Sequence, residues 1–353
     1  MYRKDAIVVG EWIRNSNKAL LVTGARQTGK TWLIRDEIEK SGYTKFELNF
    51  IDQPDMVSYL NAEMSAEEFL IKLKMIMPED CKVHETVVFF DEIQKCPEIV
   101  TKIKFLVDEG SFKYVMSGSL LGVELKGIAS APVGYLTVLR MYPMDFEEFM
   151  VANNVSTTTL DMLEDKFKTV SPIEEFIHQK LLAMFFVYLI VGGMPDAVKT
   201  YIETKDIREV DRVQRDITTL YKEDFSQYEL EDRKLKLKSI YDIIPAELDK
   251  QNKKFVFTML NKELKFERYE NSFLWLKDAG VALPVYNVDA PVIPLLASKS
   301  SNVFRLFSSD IGLLTSAYPA ETKIELINKN GEVNNGAHFE NAVAQQLTAN
   351  GFE

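Results

Sequence analysis

Short apolar runs alternating with helix-length amphipathic stretches fill the first 150 residues. Ala19-Leu20-Leu21-Val22-Thr23 is a run of buried-strand type, closed by Gly24. Trp32 to Lys40 has helical spacing through Leu33, Ile34, Glu37 and Ile38, and Ser41-Gly42 supplies a C-cap. Phe46, Leu48 and Phe50 alternate with polar residues and predict a second strand. Val87-Val88-Phe89-Phe90 predicts a third, apolar on both faces. A helix over Ile99 to Val107 ends near Gly110, and Phe112 to Met116 predicts a fourth strand, closed by Ser117-Gly118-Ser119. Strands separated by helices imply an α/β fold, a parallel sheet covered on both faces.

The pattern changes after about residue 145. Residues 145–230 read as helical, and the apolar stretch Leu181 to Val191 is broken by Gly192-Gly193-Met194-Pro195. That stretch is 11 residues, a helix of roughly 16 Å against about 30 Å of bilayer hydrocarbon, so it predicts a buried helix and no membrane span. Further on, a helix carrying Phe273, Leu274, Leu276 and Ala279 ends at Gly280, and Val281 to Val288 reads as a strand. Lys329 to Gly336, rich in Asn and Gly, is the one loose linker. Gly336 to Leu347 reads as an amphipathic helix capped near Gly351.

Composition narrows the classes. Over 353 residues the net charge is −11, with 46% hydrophobic and 27% charged residues. That is a globular chain and a poor match to a protein that coats nucleic acid. Residues 230–280 hold 11 Lys/Arg against 9 Asp/Glu, a slight local reversal. Cys81 and Cys96 offer neither a disulfide framework nor a zinc site. With no apolar leader after Met1-Tyr2-Arg3-Lys4-Asp5, they predict a cytoplasmic protein.

The chemistry concentrates in three places. Gly24-Ala25-Arg26-Gln27-Thr28-Gly29-Lys30-Thr31 fits G-x-x-x-x-G-K-[ST] between a predicted strand and a predicted helix. Its backbone N–H groups can wrap phosphates, Lys30 can meet the β/γ-phosphates, and the Thr31 hydroxyl can bind Mg²⁺. Arg26 either meets phosphate or braces the loop. Asp91-Glu92 ends the third strand, 61 residues after Lys30. Asp91 is a candidate for Mg²⁺ and Glu92 for the base that takes a proton from water; the bland alternative is two solvated acids opening a loop. Ser117 and Ser119 could sense the γ-phosphate or simply make a Ser-rich turn, and Gln94 is similarly open.

These segments, with Tyr114-Val115-Met116-Ser117-Gly118-Ser119-Leu120-Leu121-Gly122, Met141 to Phe149, Gly192 to Pro195 and Phe304 to Leu314, resemble the bacterial and archaeal AAA+-like P-loop ATPases that carry a C-terminal domain of unknown function. The resemblance implies a P-loop core with an extra strand beside the P-loop strand (1–145). A helical lid (146–232) follows, then a winged-helix-like domain (233–320) and the opening of a nuclease-like domain (321–353). It also implies ATP and Mg²⁺ as ligands, held by Gly24, Gly29, Lys30 and Thr31 with Asp91 and Glu92, and Ser117 or Ser119 as sensor. Glu340 matches the first acidic position of the nuclease-like domain, but no further acidic motif follows, so nuclease activity is not expected. Relatives carry Gly-Arg where this chain has Gly134-Tyr135, which removes the position of an arginine finger, a group worth about 10³–10⁵ in rate. Arg140 is a substitute to consider.

Arg208, Arg212 and Arg215 recur at helical spacing and either reach the phosphates or form a solvated face paired with neighbouring acids. The leading expectation is a Mg²⁺-dependent ATPase coupling hydrolysis to lid and C-terminal movement. The alternative is a nucleotide-gated switch or DNA-binding regulator with little turnover; a small-molecule kinase fits poorly. ATP and ADP are the expected ligands, with DNA at the winged-helix-like region, a homo-oligomer or a protein partner also open.

Overall fold

The computed structural model describes residues 1–60, 64–119, 134–228, 231–250, 270–328 and 335–352. Leu120 to Gly122, residues 251–269 of the region expected to be winged-helix-like, and most of the 329–336 stretch lie outside them. Two compact units divide the chain: Arg3–Met141, and Tyr142–Glu353 together with Met1–Tyr2.

The first unit is built on a five-stranded parallel sheet. Its strands are β1 (Ala19–Thr23), β2 (Thr44–Asn49), β3 (Thr86–Asp91), β4 (Lys113–Gly118) and β5 (Leu136–Arg140), in the order β2-β3-β4-β1-β5. The P-loop strand β1 therefore sits between β4 and β5, with β4 separating it from β3. That insertion is the arrangement of the AAA-type P-loop fold. Parallel strands need crossovers, and helices α1 (Asp5–Asn15), α2 (Lys30–Ser41), α3 (Pro54–Leu60), α4 (Ala66–Ile76) and α5 (Glu98–Glu109) flank and connect them.

Pleating sends successive side chains to opposite faces. Leu20, Val22, Val87, Phe89 and Val115 pack against Trp12, Ile13, Leu33 and Ile34 of α1 and α2. Leu21, Val88, Phe90, Tyr114 and Met116 pack against Phe69, Leu73, Ile99 and Ile103 of α4 and α5. Phe90 stacks between Phe50 and Tyr114 at 6.1 and 6.4 Å. With both faces covered, β3 is buried along its length, which explains its uninterrupted apolar run. Edge strand β5 is half-buried, so its hydrophobic pattern along the sequence is weak.

The second unit holds α6 (Phe146–Ala152), α7 (Thr157–Lys168), α8 (Glu175–Val191), α9 (Pro195–Thr204), α10 (Ile207–Tyr228), α11 (Glu231–Leu248) and α12 (Glu270–Asp278). The antiparallel pair β6 (Ala282–Val288) and β7 (Lys299–Ser308) follows, then α13 (Ile311–Ser316), α14 (Ala320–Asn328) and α15 (Gly336–Ala349). Three sequence-distant motifs meet here. The Met144 amide donates to the Gly193 carbonyl at 2.7 Å, and the Gly193 amide donates to buried Asp310 at 2.6 Å. A Cβ on Gly193 would lie 1.9 Å from the Met144 carbonyl oxygen. The Gly192-Gly193 break thus lets backbone approach backbone where a side chain cannot fit. Gln345 of α15 closes the knot, bonding Tyr188, whose hydroxyl donates to the Met144 carbonyl. No helix among the described residues is long and apolar enough to cross a membrane.

Candidate functional site

The loop between β1 and α2 follows from its backbone. Gln27 (φ 62°) and Gly29 (φ 91°) are left-handed, conformations that turn successive N–H groups toward one side. Gly24 sits at φ 142°, and a Cβ there would lie 2.1 Å from the Met141 carbonyl oxygen, so only glycine fits beside the exit of β5. Loop carbonyls are taken up by side chains. The Thr28 hydroxyl donates to Ala25 O at 3.0 Å, and buried Arg3 donates to Thr28 O at 2.7 Å. Lys30 Nζ donates to Gly24 O at 3.1 Å and Ala25 O at 2.6 Å. No acid occupies the first turn of α2, whose positive dipole end faces the loop. A loop of this shape turns its backbone N–H groups to one side beside a helix N-terminus, and that is the chemistry of a phosphate cradle.

The ammonium of Lys30 is buried, and loss of hydration pulls its pKa down to about 8 against the opposing charges of Glu92 and Asp91. Across from it, four donors converge on the Asp91 carboxylate at the end of β3. The Thr31 hydroxyl lies at 3.0–3.1 Å, Asn49 Nδ2 at 3.1 Å and the Glu92 amide at 3.2 Å; the Ser117 hydroxyl also donates. Burial raises the Asp91 pKa, while Ser117 and Thr31 resist that shift. The Thr31–Asp91 pair is joined through the sheet topology, since β3 and the P-loop strand are not neighbours.

Glu92 takes a left-handed conformation (φ 56°), turning the chain out of β3 into a single 3₁₀ turn, Ile93–Lys95. Its carboxylate accepts from Gln94 Nε2. Ser119 lies 3.4 Å from both Gln94 Nε2 and Arg26 Nε, so Arg26 contacts the end of β4 as well as sitting in the loop. Ala25 and Thr28 are buried, and Gln27 is exposed. Arg140 ends β5 in register with Thr23.

Other expectations lie elsewhere. Arg208, Arg212 and Arg215 are 86%, 73% and 69% exposed and pair with Asp206, Glu209 and Asp211 of their own neighbourhood, the solvated-face alternative. Glu340 pairs with Arg305 at 2.7 Å. Two contributors went unread in the sequence, Arg3 and Asn49. Nothing in Met1-Tyr2-Arg3-Lys4 marks Arg3 above Lys4. Asn49 ends an alternating strand, but its pairing with Asp91 requires knowing that β2 neighbours β3.

Residues 16–150 match the family described as an AAA domain, and residues 183–324 match a domain of unknown function (DUF8612). Among curated proteins none matches. Similar solved structures include the Walker-type ATPase PABY2304 of Pyrococcus abyssi, at 13% identity and TM-score 0.48, covering 89% of this chain and 95% of that one. AMPPCP-bound DnaA from Aquifex aeolicus is 12% identical with TM-score 0.38, covering 79% and 89%. Cdc6p from Pyrobaculum aerophilum is 13% identical with TM-score 0.30, covering 92% of each chain.

Proposed function

We propose that this chain is a Mg²⁺-dependent ATP hydrolase whose site is the carboxyl edge of the first unit's sheet. The observation that carries the reading is the convergence of the P-loop, the Thr31 hydroxyl and Asp91, with Glu92 beside them. Amides of Gly24–Thr31 hold the β- and γ-phosphates, and Lys30 adds a cation that costs no reorganisation because it already lies against the loop. Thr31 and Asp91 are hard oxygen donors suited to Mg²⁺, which keeps several waters and borrows phosphate oxygens. Bound there, Mg²⁺ neutralises charge on the β- and γ-phosphates.

Glu92 accepts the proton of the attacking water as its oxygen bonds to the γ-phosphorus. The bond to the β-bridging oxygen breaks, and its electron pair leaves on ADP. Ser117 donates to Asp91, which gives it the role of fixing that carboxylate rather than touching phosphate. Ser119 is better placed as a link between the loop and Glu92. Movement of the C-terminal unit as a lid and winged-helix-like module is the output this reading supplies.

Single-turnover hydrolysis of ATP by the wild type against Glu92→Gln tests the assignment. General-base loss lowers the rate about 10²–10⁴-fold with ATP affinity kept. Equal rates would remove Glu92 from the chemistry and favour a nucleotide-gated switch.

A further inference from the structure

The side chain at position 94 is an amide where the fold would be content with a hydrocarbon. Gln94 is more than nine-tenths buried, in a turn pinned by fully buried Ile93 and Cys96. Its Nε2 donates to the Glu92 carboxylate and lies 3.4 Å from the Ser119 hydroxyl. The opposite amide orientation would set a carbonyl oxygen against a carboxylate, so the nitrogen belongs on the Glu92 side. Its Oε1 is then buried with no hydrogen-bond partner among the described residues. A buried acceptor without a donor is unfavourable. The nitrogen end must therefore justify the residue, and that end touches Glu92.

We infer that Gln94 is a positioning residue: its amide holds the Glu92 carboxylate by one oxygen and leaves the other directed to the attacking water. The inference rests on the hydrolase reading above and extends it. Glu92 needs such a restraint for a local reason. It stands at a left-handed residue on a single 3₁₀ turn, a short element that does not by itself orient a flexible carboxylate. Bracing one oxygen removes side-chain freedom while leaving the base function to the other, as an orienting partner does for any general base. Ser119 and Arg26 extend the brace to the end of β4 and into the P-loop. The direction of the base is thereby tied to the loop that holds the phosphates.

The test is a cycle of four proteins: wild type, Gln94→Met, Glu92→Gln and the double variant. ATP turnover, KM and ATP·Mg²⁺ affinity are measured for each. Met fills the same space without the donor, so Gln94→Met keeps its melting temperature, KM and nucleotide affinity while kcat falls about 10–100-fold, the scale of a misdirected group. In the Glu92→Gln background the same change costs less than about twofold, because the group it positions is gone. Gln94→Leu, a second apolar side chain without a donor, lowers kcat in the same way as Met; it serves if the Met variant fails to fold.

Equal losses from Gln94→Met in both backgrounds would overturn the inference while leaving the hydrolase reading standing. A loss confined to KM or affinity would do the same. If Glu92→Gln alone leaves the rate unchanged, the hydrolase roles fail first and the positioning role falls with them.

Discussion

Buried Lys30 carries a pH dependence whose size follows from its surroundings. Dehydration lowers its pKa from 10.5 to about 8, Glu92 and Asp91 pull it back up, and Arg26 adds to the lowering. Phosphate oxygens against the ammonium favour its charged form and move the pKa in the complex back toward the ordinary 10.5. Free protein therefore gives up this proton above about pH 8 while the complex keeps it. Affinity for ATP falls tenfold per pH unit through that window. The gap between 10.5 and about 8 sets the ceiling at about 300-fold, or ~3.4 kcal/mol.

Calorimetric titration with ATP and Mg²⁺ from about pH 7 to 9.5, in two buffers of different ionisation enthalpy, reads both affinity and proton uptake. Uptake approaches one proton per ATP near pH 9, about one unit above the lowered pKa. Lys30→Arg keeps its charge throughout and shows neither effect. Folding responds with the opposite sense. Between about 8 and 10.5 the unfolded chain binds more protons, so the nucleotide-free protein gains stability as pH rises through that window. Lys30→Met accordingly stabilises the free fold at neutral pH while abolishing binding. Affinity level across the range, with no proton taken up, would refute the placement of this ammonium against the phosphates.

Three further outcomes are expected. Asp91→Asn removes the carboxylate on which Thr31, Asn49 and Ser117 converge; ATP affinity should lose its Mg²⁺ dependence, measured by titration with and without EDTA. Gly24→Ala forces a Cβ to 2.1 Å from the Met141 carbonyl at φ 142° and should cost about 2–4 kcal/mol in urea unfolding. His338 is buried with neither ring nitrogen hydrogen-bonded among the described residues, and burial lowers its pKa from 6.5 to about 4. Its folded pKa lies below its unfolded one, so the stability it leaves intact above pH 6.5 is lost as pH falls toward 4, by up to ~3.4 kcal/mol. Asp310, raised from 3.8 to about 6 by burial, opposes this by adding stability as pH falls through the same range. Comparing wild type with His338→Phe isolates the histidine: the variant's urea midpoint should be relatively higher near pH 4.5 than at pH 7.

The strands that read clearly are the doubly buried ones. Val87-Val88-Phe89-Phe90 has helices against both faces, so every position is apolar and the run is unmistakable. Leu136–Arg140 lies at a sheet edge with Val138 60% exposed, and no such run survives. The P-loop was legible because its chemistry is local: a cradle for phosphate needs left-handed and Cβ-free positions within one turn. Asp91 and Glu92 were legible as acids at a strand end. The pairings of Asp91 were not, because Ser117 and Asn49 reach it from β4 and β2, and Arg3 reaches the loop carbonyl of Thr28 from the N-terminal segment. Ser117 illustrates the difference: in sequence its hydroxyl is open to sensing phosphate or closing a Ser-rich turn, and the sheet adds a hydrogen bond to the Asp91 carboxylate.

The segments around Met144, Gly193 and Asp310 stood out in sequence as motifs without a visible purpose. Folded, they form one buried hydrogen-bonded knot, in which a glycine lets two backbones meet and a carboxylate caps an amide. Local order thus settled which stretches are helix, strand and anion-binding turn, because dihedral preference and side-chain periodicity act between near neighbours. Which strand lies beside which, and so which hydroxyl faces which acid, depended on packing between residues tens of positions apart. Only the assembled sheet determines that.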